Sequence, residues 1–370
     1  MANKWIERAE QLGPELSEYA ARHDEDGSFV AESFQALRDD GYLAALVPTE
    51  LGGMGANIDE ICDFIRTLAK YCPSTALAYS MHSHLMAATV WKHLHKLPGE
   101  ALLRRVASEK LLLVSTGAGD WLESGGVLTK IAGGYRFSAK KAFASGSPAG
   151  DLMITSGRYE DPERGPTVLH FPLSFKAEGV RLGDDWNAHG MRGTGSHTVH
   201  IEGAFIPDEA ISASRRQGAW APAFDLICTM AFPVLMSAYV GVAERAAELA
   251  LQQARSRRDD PDLPYLVGEL CNQLFVVQAV SRAQVENAAN FEFAPSAERS
   301  SRAAQAKTVL TEACVRTVEK AMEVAGGSAY FRNGRIEALM RDVRAAQYHP
   351  YQRMRQLRFS GRIALGFEAG

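Results

Sequence analysis

Residues 326–351 carry the most information in this 370-residue chain: Gly326-Gly327-Ser328-Ala329-Tyr330-Phe331, then Arg335-Ile336-Glu337-Ala338-Leu339-Met340-Arg341-Asp342, then Gln347-Tyr348-His349-Pro350-Tyr351. An Ala-rich helical pattern stops at the two glycines, where glycine accepts the backbone that closes a helix. A second helical pattern follows, with Ile336, Leu339, Met340 and Val343 on one face. It ends before Pro350, whose ring biases His349 away from helical dihedrals. His349 is therefore predicted at a helix exit, where a side chain can be aimed into a cavity.

Working outward, the upstream pattern is helical from Pro222, a residue suited to a first helical turn. Met236, Tyr239, Val240, Ala243, Ala247 and Ala250 keep a 3.6-residue period. Two more long helices are predicted over 264–291 and 297–324. Alanine on their contact faces permits close approach, as in a four-helix bundle. Between about 111 and 214 the grammar changes to short β-patterned runs at 111–114, 127–131, 135–138, 152–156, 167–171 and 198–201, punctuated by Gly125-Gly126, Gly133-Gly134 and Gly165-Pro166. Such spacing suits a small antiparallel barrel or sandwich. The first stretch reads as helices again, with Phe34, Leu37, Tyr42 and Leu43 on one face and a helix started by Asn57 or Asp59. The expected division is an N-terminal helical domain over 1–112, a central antiparallel β-barrel domain over 113–215 and a C-terminal four-helix bundle over 216–370, an α+β chain.

Hydrophobic residues make up 46% of the chain, enough for a large core. A net charge of -4 gives no general drive toward nucleic acid or anionic membranes. The first twenty residues hold charges at Lys4, Glu7, Arg8, Glu10, Glu15 and Glu18, which does not read as a signal peptide. No run was expected to reach the roughly 20 apolar residues of a membrane helix. Five scattered cysteines, Cys62, Cys72, Cys228, Cys271 and Cys314, suit reduced thiols in a cytoplasm better than a disulfide frame or zinc site. His82 and His84, two apart on one helix, face different ways and make no metal pair.

The double glycine followed by Arg341-Asp342 resembles the C-terminal signature of the acyl-CoA dehydrogenase superfamily, and the helix–strand–helix layout is similar along nearly the whole chain. The turn Leu51-Gly52-Gly53-Met54-Gly55 resembles one that closes the second helix there. In that family a catalytic Glu follows the Arg-Asp pair. In this register it falls on Pro350, beside His349. A second position that can host the base falls on Ala231, and a basic residue near the thioester falls on Phe232. Neither Ala nor Pro can accept a proton, Asp225 matches less well by register, and a missing base costs orders of magnitude in rate. Ordinary α,β-dehydrogenation is thereby disfavoured.

The resemblance implies a flavin cofactor, FAD or FMN. Phe143 and Ser145, in Lys140-Lys141-Ala142-Phe143-Ala144-Ser145-Gly146, fall on positions that lay an aromatic face and a hydroxyl along the isoalloxazine. As plain structure the same residues read as a strand ending in a turn. Arg192, with Thr194 and Ser196 in a run carrying Gly190, Gly193 and Gly195, falls near flavin and substrate; its bland reading is a glycine-rich connection. Arg257 matches an Arg that reaches the flavin pyrophosphate of a neighbouring subunit, with Gly326 and Gly327 also on the cofactor side; Arg257 reads equally as a charge completing a helix end. His84, Ser145 and His349 match a catalytic constellation of flavin monooxygenases built on this fold. There, reduced flavin and oxygen give a C4a-(hydro)peroxide, and histidine handles protons near pH 7.

Thr116-Gly117-Ala118-Gly119-Asp120 lacks the third glycine and the helix of a dinucleotide fingerprint. Reducing electrons are therefore expected from a separate reductase. The leading reading is a two-component monooxygenase acting with molecular oxygen on a small aromatic, heteroaromatic or amine substrate. The alternatives are an acyl-CoA dehydrogenase or oxidase with a non-standard base, and a non-catalytic flavin-binding subunit. A homotetramer or homodimer is implied, with no nucleic acid, membrane or metal partner.

Overall fold

In the computed structural model, which describes residues 3–116, 121–332 and 334–369, helix α1 (Lys4–Asp26) starts where the Asn3 side chain accepts from the Trp5 amide. It stops at Gly27, whose backbone sits at φ +75. Helices α2 (Ala31–Asp39), α3 (Ile58–Tyr71), α4 (Pro73–Leu94) and α5 (Glu100–Glu109) follow. Asn57 is the cap of α3, and it forms a reciprocal pair with Glu60 that satisfies two orphan amides. Pro73 sits in the first turn of α4, where its missing N–H leaves no bond unmade.

Eight strands come next: β1 (Leu113–Ser115), β2 (Val127–Ile131), β3 (Gly134–Lys141), β4 (Leu152–Asp161), β5 (Gly165–Ser174), β6 (Val180–Leu182), β7 (Val199–Pro207) and β8 (Ala213–Arg216). The order is β6-β7-β3-β2-β4-β5-β8, with β1 pairing parallel to β4. The two antiparallel groups, β6-β7-β3-β2 and β4-β5-β8, meet through one parallel pair, Val127 with Arg158. They share a single core, in which Phe137 of β3 meets Phe171 of β5 edge-on at 5.0 Å. The six expected strands are present, most of them longer than expected. β6 and β8 were not anticipated: they are short edge strands, β6 only Val180-Arg181-Leu182 and β8 without apolar alternation. The glycines of the 117–120 run lie outside the described residues.

The C-terminal part holds α6 (Pro222–Ala254), α7 (Leu263–Asn287), α8 (Ala297–Ala325), α9 (Ile336–Val343) and α10 (Arg353–Ala364). One continuous core joins α1, α3 and α4 to α6, α8 and α9, whereas the sheet keeps its own. The C-terminal and N-terminal helices thus bury apolar faces against each other, and the β elements flank them.

The expectation that no segment is long and apolar enough to span a membrane is corrected. Residues 226–243 carry no charge, and both Pro222–Arg257 and Leu263–Phe291 pass by length and composition. For α6 the reason is burial, since its apolar window is 94% inside the fold. The α7 window is only 17% buried, and Tyr265 and Phe275 stand exposed on it.

Candidate functional site

Helix α9 ends in a 3-10 turn (Arg344–Gln347), and His349 follows it. Such an end leaves carbonyls without partners. Lys307, on α8 and almost wholly buried, supplies them: its Nζ donates to the carbonyls of Ala346 at 3.1 Å, His349 at 3.0 Å and Tyr351 at 3.4 Å. Burial lowers the Lys307 ammonium to about 8. The His349 ring packs against Tyr239 of α6 at 5.8 Å between centroids. Burial foremost, then the charges of Lys307 and His84, push the His349 imidazole down to about 3. It is neutral at pH 7.

His84 on α4 completes this corner. Burial lowers it to about 4, and its Nδ1 is buried with no hydrogen-bond partner. The Tyr239 hydroxyl is buried and unpartnered in the same way. His82 has a different task. Its Nδ1 accepts from the Leu113 amide at 3.0 Å, so its Nε2 carries the proton donated to the Leu43 carbonyl at 2.8 Å. That ring ties α4 to β1 and to the turn after α2.

A second corner lies between β3 and the loop before β7. Ser145, Ser196 and Thr194 form a buried chain: Ser145 Oγ lies 2.8 Å from Ser196 Oγ, which lies 2.7 Å from Thr194 Oγ1. Thr194 Oγ1 donates to the Met191 carbonyl at 2.9 Å. Beside it, Phe143 has φ +59 and is 58% exposed, with its ring edge-on to Trp186 at 6.3 Å. A large aromatic held open in a left-handed conformation is costly unless something covers it.

The loop is glycine-rich because the protein itself crowds it. A Cβ at Gly190 would lie 2.1 Å from the Arg341 carbonyl oxygen, and one at Gly195 would meet Phe29 and Pro148 below 3 Å. Asp342 accepts from the Met191 amide, although burial raises its carboxyl to about 7. Arg341 grips both oxygens of Asp24 at 2.7 and 2.6 Å. Arg192, expected near the cofactor, is engaged structurally: it donates to the carbonyls of Asp24 at 2.5 Å, Ala188 at 3.1 Å and Glu25 at 3.3 Å. These bonds hold the end of α1 against the loop.

A third corner unites Arg257, Gly326 and Gly327. Arg257 Nη2 donates to the Val324 carbonyl. Gly326 sits at φ +74, where a Cβ would approach Arg257 Nη1 to 3.2 Å, while one at Gly327 meets nothing. Both α6 and α8 end here, so the helix termini present carbonyls, and the Arg257 guanidinium is the group in this corner with the charge to meet a phosphate.

The positions aligned with the family's base lie in two settings. Ala231 and Phe232 are buried apolar groups, and Pro350 is half-buried. Asp225 is bound, its Oδ1 accepting from Trp220 Nε1 at 3.0 Å and Ser300 Oγ at 2.6 Å. Around it Trp121, Trp220, Phe224 and Tyr351 form an aromatic wall reaching the His349 turn. Lys307 and Tyr239 escaped the sequence reading. Lys307 lies mid-helix, where a lysine usually means solvent; its signal was a charge on an otherwise apolar, Ala-rich face. Among the described residues no cluster of His, Cys, Asp and Glu is placed to hold a metal. An open aromatic face, a hydroxyl beside it and an orphan imidazole nitrogen fit a flat heteroaromatic with polar edges, as a flavin is.

Residues 9–110 match the family model "Acyl-CoA dehydrogenase, N-terminal domain", and residues 233–349 match "Acyl-CoA dehydrogenase, C-terminal domain". L-evernosamine nitrososynthase of a Micromonospora species is 26% identical, covering 96% of this chain and 88% of the relative. Dibenzothiophene monooxygenase of Mycolicibacterium goodii is 26% identical over 93% of this chain and 89% of its own length. Among solved structures, KijD3 in complex with FMN and dTDP-3-amino-2,3,6-trideoxy-4-keto-3-methyl-D-glucose superposes with a TM-score of 0.87 at 25% identity, covering 98% of this chain and 93% of that one.

Proposed function

This chain belongs to the acyl-CoA dehydrogenase superfamily of flavin-dependent oxidoreductases, and on that footing we propose that it is the oxygenase half of a two-component monooxygenase. The observation that carries the reading is the lack of a carboxylate at the two aligned base positions, Pro350 and Ala231, with the buried His349 next to the first and His84 close enough to influence its charge. The names of the relatives above, a monooxygenase and a nitrososynthase, support it.

In this reading the flavin, FMN or FAD, lies against Phe143 and Ser145, with Arg192 bracing the loop, while Arg257 and the Gly326-Gly327 end face the phosphate of a flavin held by a neighbouring subunit. Supplied in reduced form by a separate reductase and held there, the flavin would provide the oxygen-activating chemistry. His84 and His349 then act as neutral hydrogen-bonding groups. An anion formed beside them raises their proton affinity, so proton uptake follows the chemistry rather than preceding it. The buried corner limits water and so protects a reactive adduct. The aromatic wall suits a planar aromatic, heteroaromatic or amine substrate.

The exposed apolar side of α7 supports a homotetramer or homodimer. Four buried free thiols and one exposed, Cys271, suit a reducing cytoplasm. The test is stopped-flow mixing of the protein with FMNH2 or FADH2 and oxygen. A C4a-adduct absorbance is expected with one of them, and His349→Ala is expected to shorten its lifetime or lower product yield at least a hundredfold. No adduct with either flavin, together with bleaching of bound flavin by an acyl-CoA panel, would return the chain to the dehydrogenases.

A further inference from the structure

We propose that Thr194 and Ser196 are positioning residues that fix the direction of the Ser145 hydroxyl, so that it offers lone pairs rather than a proton to the flavin and the site favours reduced over oxidised cofactor. The proposal rests on the flavin reading above and deepens it.

The direction follows from counting protons. The Met191 carbonyl has none, so Thr194 Oγ1, at 2.9 Å from it, must donate. A hydroxyl has one proton to give. At the 2.7 Å contact between Ser196 and Thr194, the donor is therefore Ser196. At the 2.8 Å contact between Ser145 and Ser196, the donor is then Ser145. All three protons run toward Met191, and Ser145 keeps only acceptor capacity.

The far end of the chain is anchored firmly. The Met191 amide donates to Asp342, and the Met191 carbonyl also receives the Thr194 amide at 3.2 Å. Thr194 is fully buried and Ser145 and Ser196 are 6% exposed, so water has little access to reverse the order. Reversal would break the shortest of the three bonds to that carbonyl, which would keep the Thr194 amide at 3.2 Å and the Trp186 indole N–H at 3.3 Å.

The flavin edge changes hydrogen-bonding sign with redox state. Oxidised flavin presents a lone pair at N5, and reduced flavin presents an N–H. An acceptor hydroxyl complements the reduced form. Against oxidised N5 it sets lone pair against lone pair, unless the chain gives up one bond to turn round. One net hydrogen bond corresponds to a ratio on the order of five in affinity.

The experiment measures anaerobic dissociation constants for oxidised and reduced FMN, with FAD in parallel, in the wild type, Ser196→Ala and Thr194→Val, together with the midpoint potential of the bound flavin. In Ser196→Ala the Ser145 proton loses its acceptor and is freed for N5. In Thr194→Val the Ser196 proton turns onto Ser145, with the same result. The preference for reduced flavin should fall about fivefold in both. Ser196→Thr and Thr194→Ser, which keep the hydroxyls, should retain the wild-type ratio, and this separates direction from folding damage. Ratios within twofold of wild type in both deletions overturn the inference while the flavin reading stands. A wild type that binds neither flavin overturns both.

Discussion

The Ser145 corner and the His349 corner are built on opposite terms. Around Ser145 the hydroxyls close on one another and end on a backbone carbonyl, and the neighbouring amide meets Asp342. Around His349 the backbone is held by Lys307, but the His84 Nδ1 and the Tyr239 hydroxyl are buried without partners. An unmet buried polar group costs about 1–3 kcal/mol. In the proposed site a bound molecule would supply the bonds missing from these two. The difference teaches that one corner is set before a ligand arrives and the other is completed by it.

The contrast can be broken most forcefully at Lys307. Lys307→Met strips the donor from three carbonyls in the 346–351 turn, so a loss of about 2–3 kcal/mol of stability is expected, read by urea unfolding. His349 would then be displaced, and product formation should fall even under conditions where the variant is fully folded. Unchanged stability would mean that the turn holds itself.

Acid should act next in size, and on the imidazole corner. His84 and His349 are held below their ordinary value, to about 4 and about 3, so the unfolded chain binds protons there that the fold refuses. Stability is therefore full above about pH 6.5 and declines as pH falls toward 4. His84→Gln should flatten that decline by about 1 kcal/mol between pH 6.5 and 5, measured as the difference between melts at the two values. A wild type equally stable at both would show that neither ring resists protonation.

The smallest effect has the opposite sign. Tyr239→Phe removes an orphan hydroxyl without changing shape, so the free protein should gain up to about 1 kcal/mol while product yield falls. A loss of stability instead would show that the hydroxyl already has a partner.

Much of the architecture was legible because periodicity reports which face of an element is buried. The runs at 127–131 and 297–324 were placed almost to the residue, as β2 and α8. The glycines before Ser328 and the helix exit at His349 were also readable, whereas the bond between Ser145 and Ser196 was not. What a single sequence cannot report is the partner. Lys307 reaches a turn some forty residues on, and Arg192 reaches the end of α1, 168 positions back. Nor does composition say where apolar surface goes: α6 and α7 both read as apolar helices, yet one is core and the other faces outward.

The grip of Arg341 on Asp24 spans 317 positions of chain. In synthesis α1 precedes Arg341 by that whole distance, so its end, and the loop that Arg192 braces against it, gain their clamp only when the 340s leave the exit tunnel. Non-local closure of this length is slow and comes late. Fixing of the 190–196 loop is thereby coupled to synthesis of the 340s, and a nascent fragment without them holds that loop unclamped.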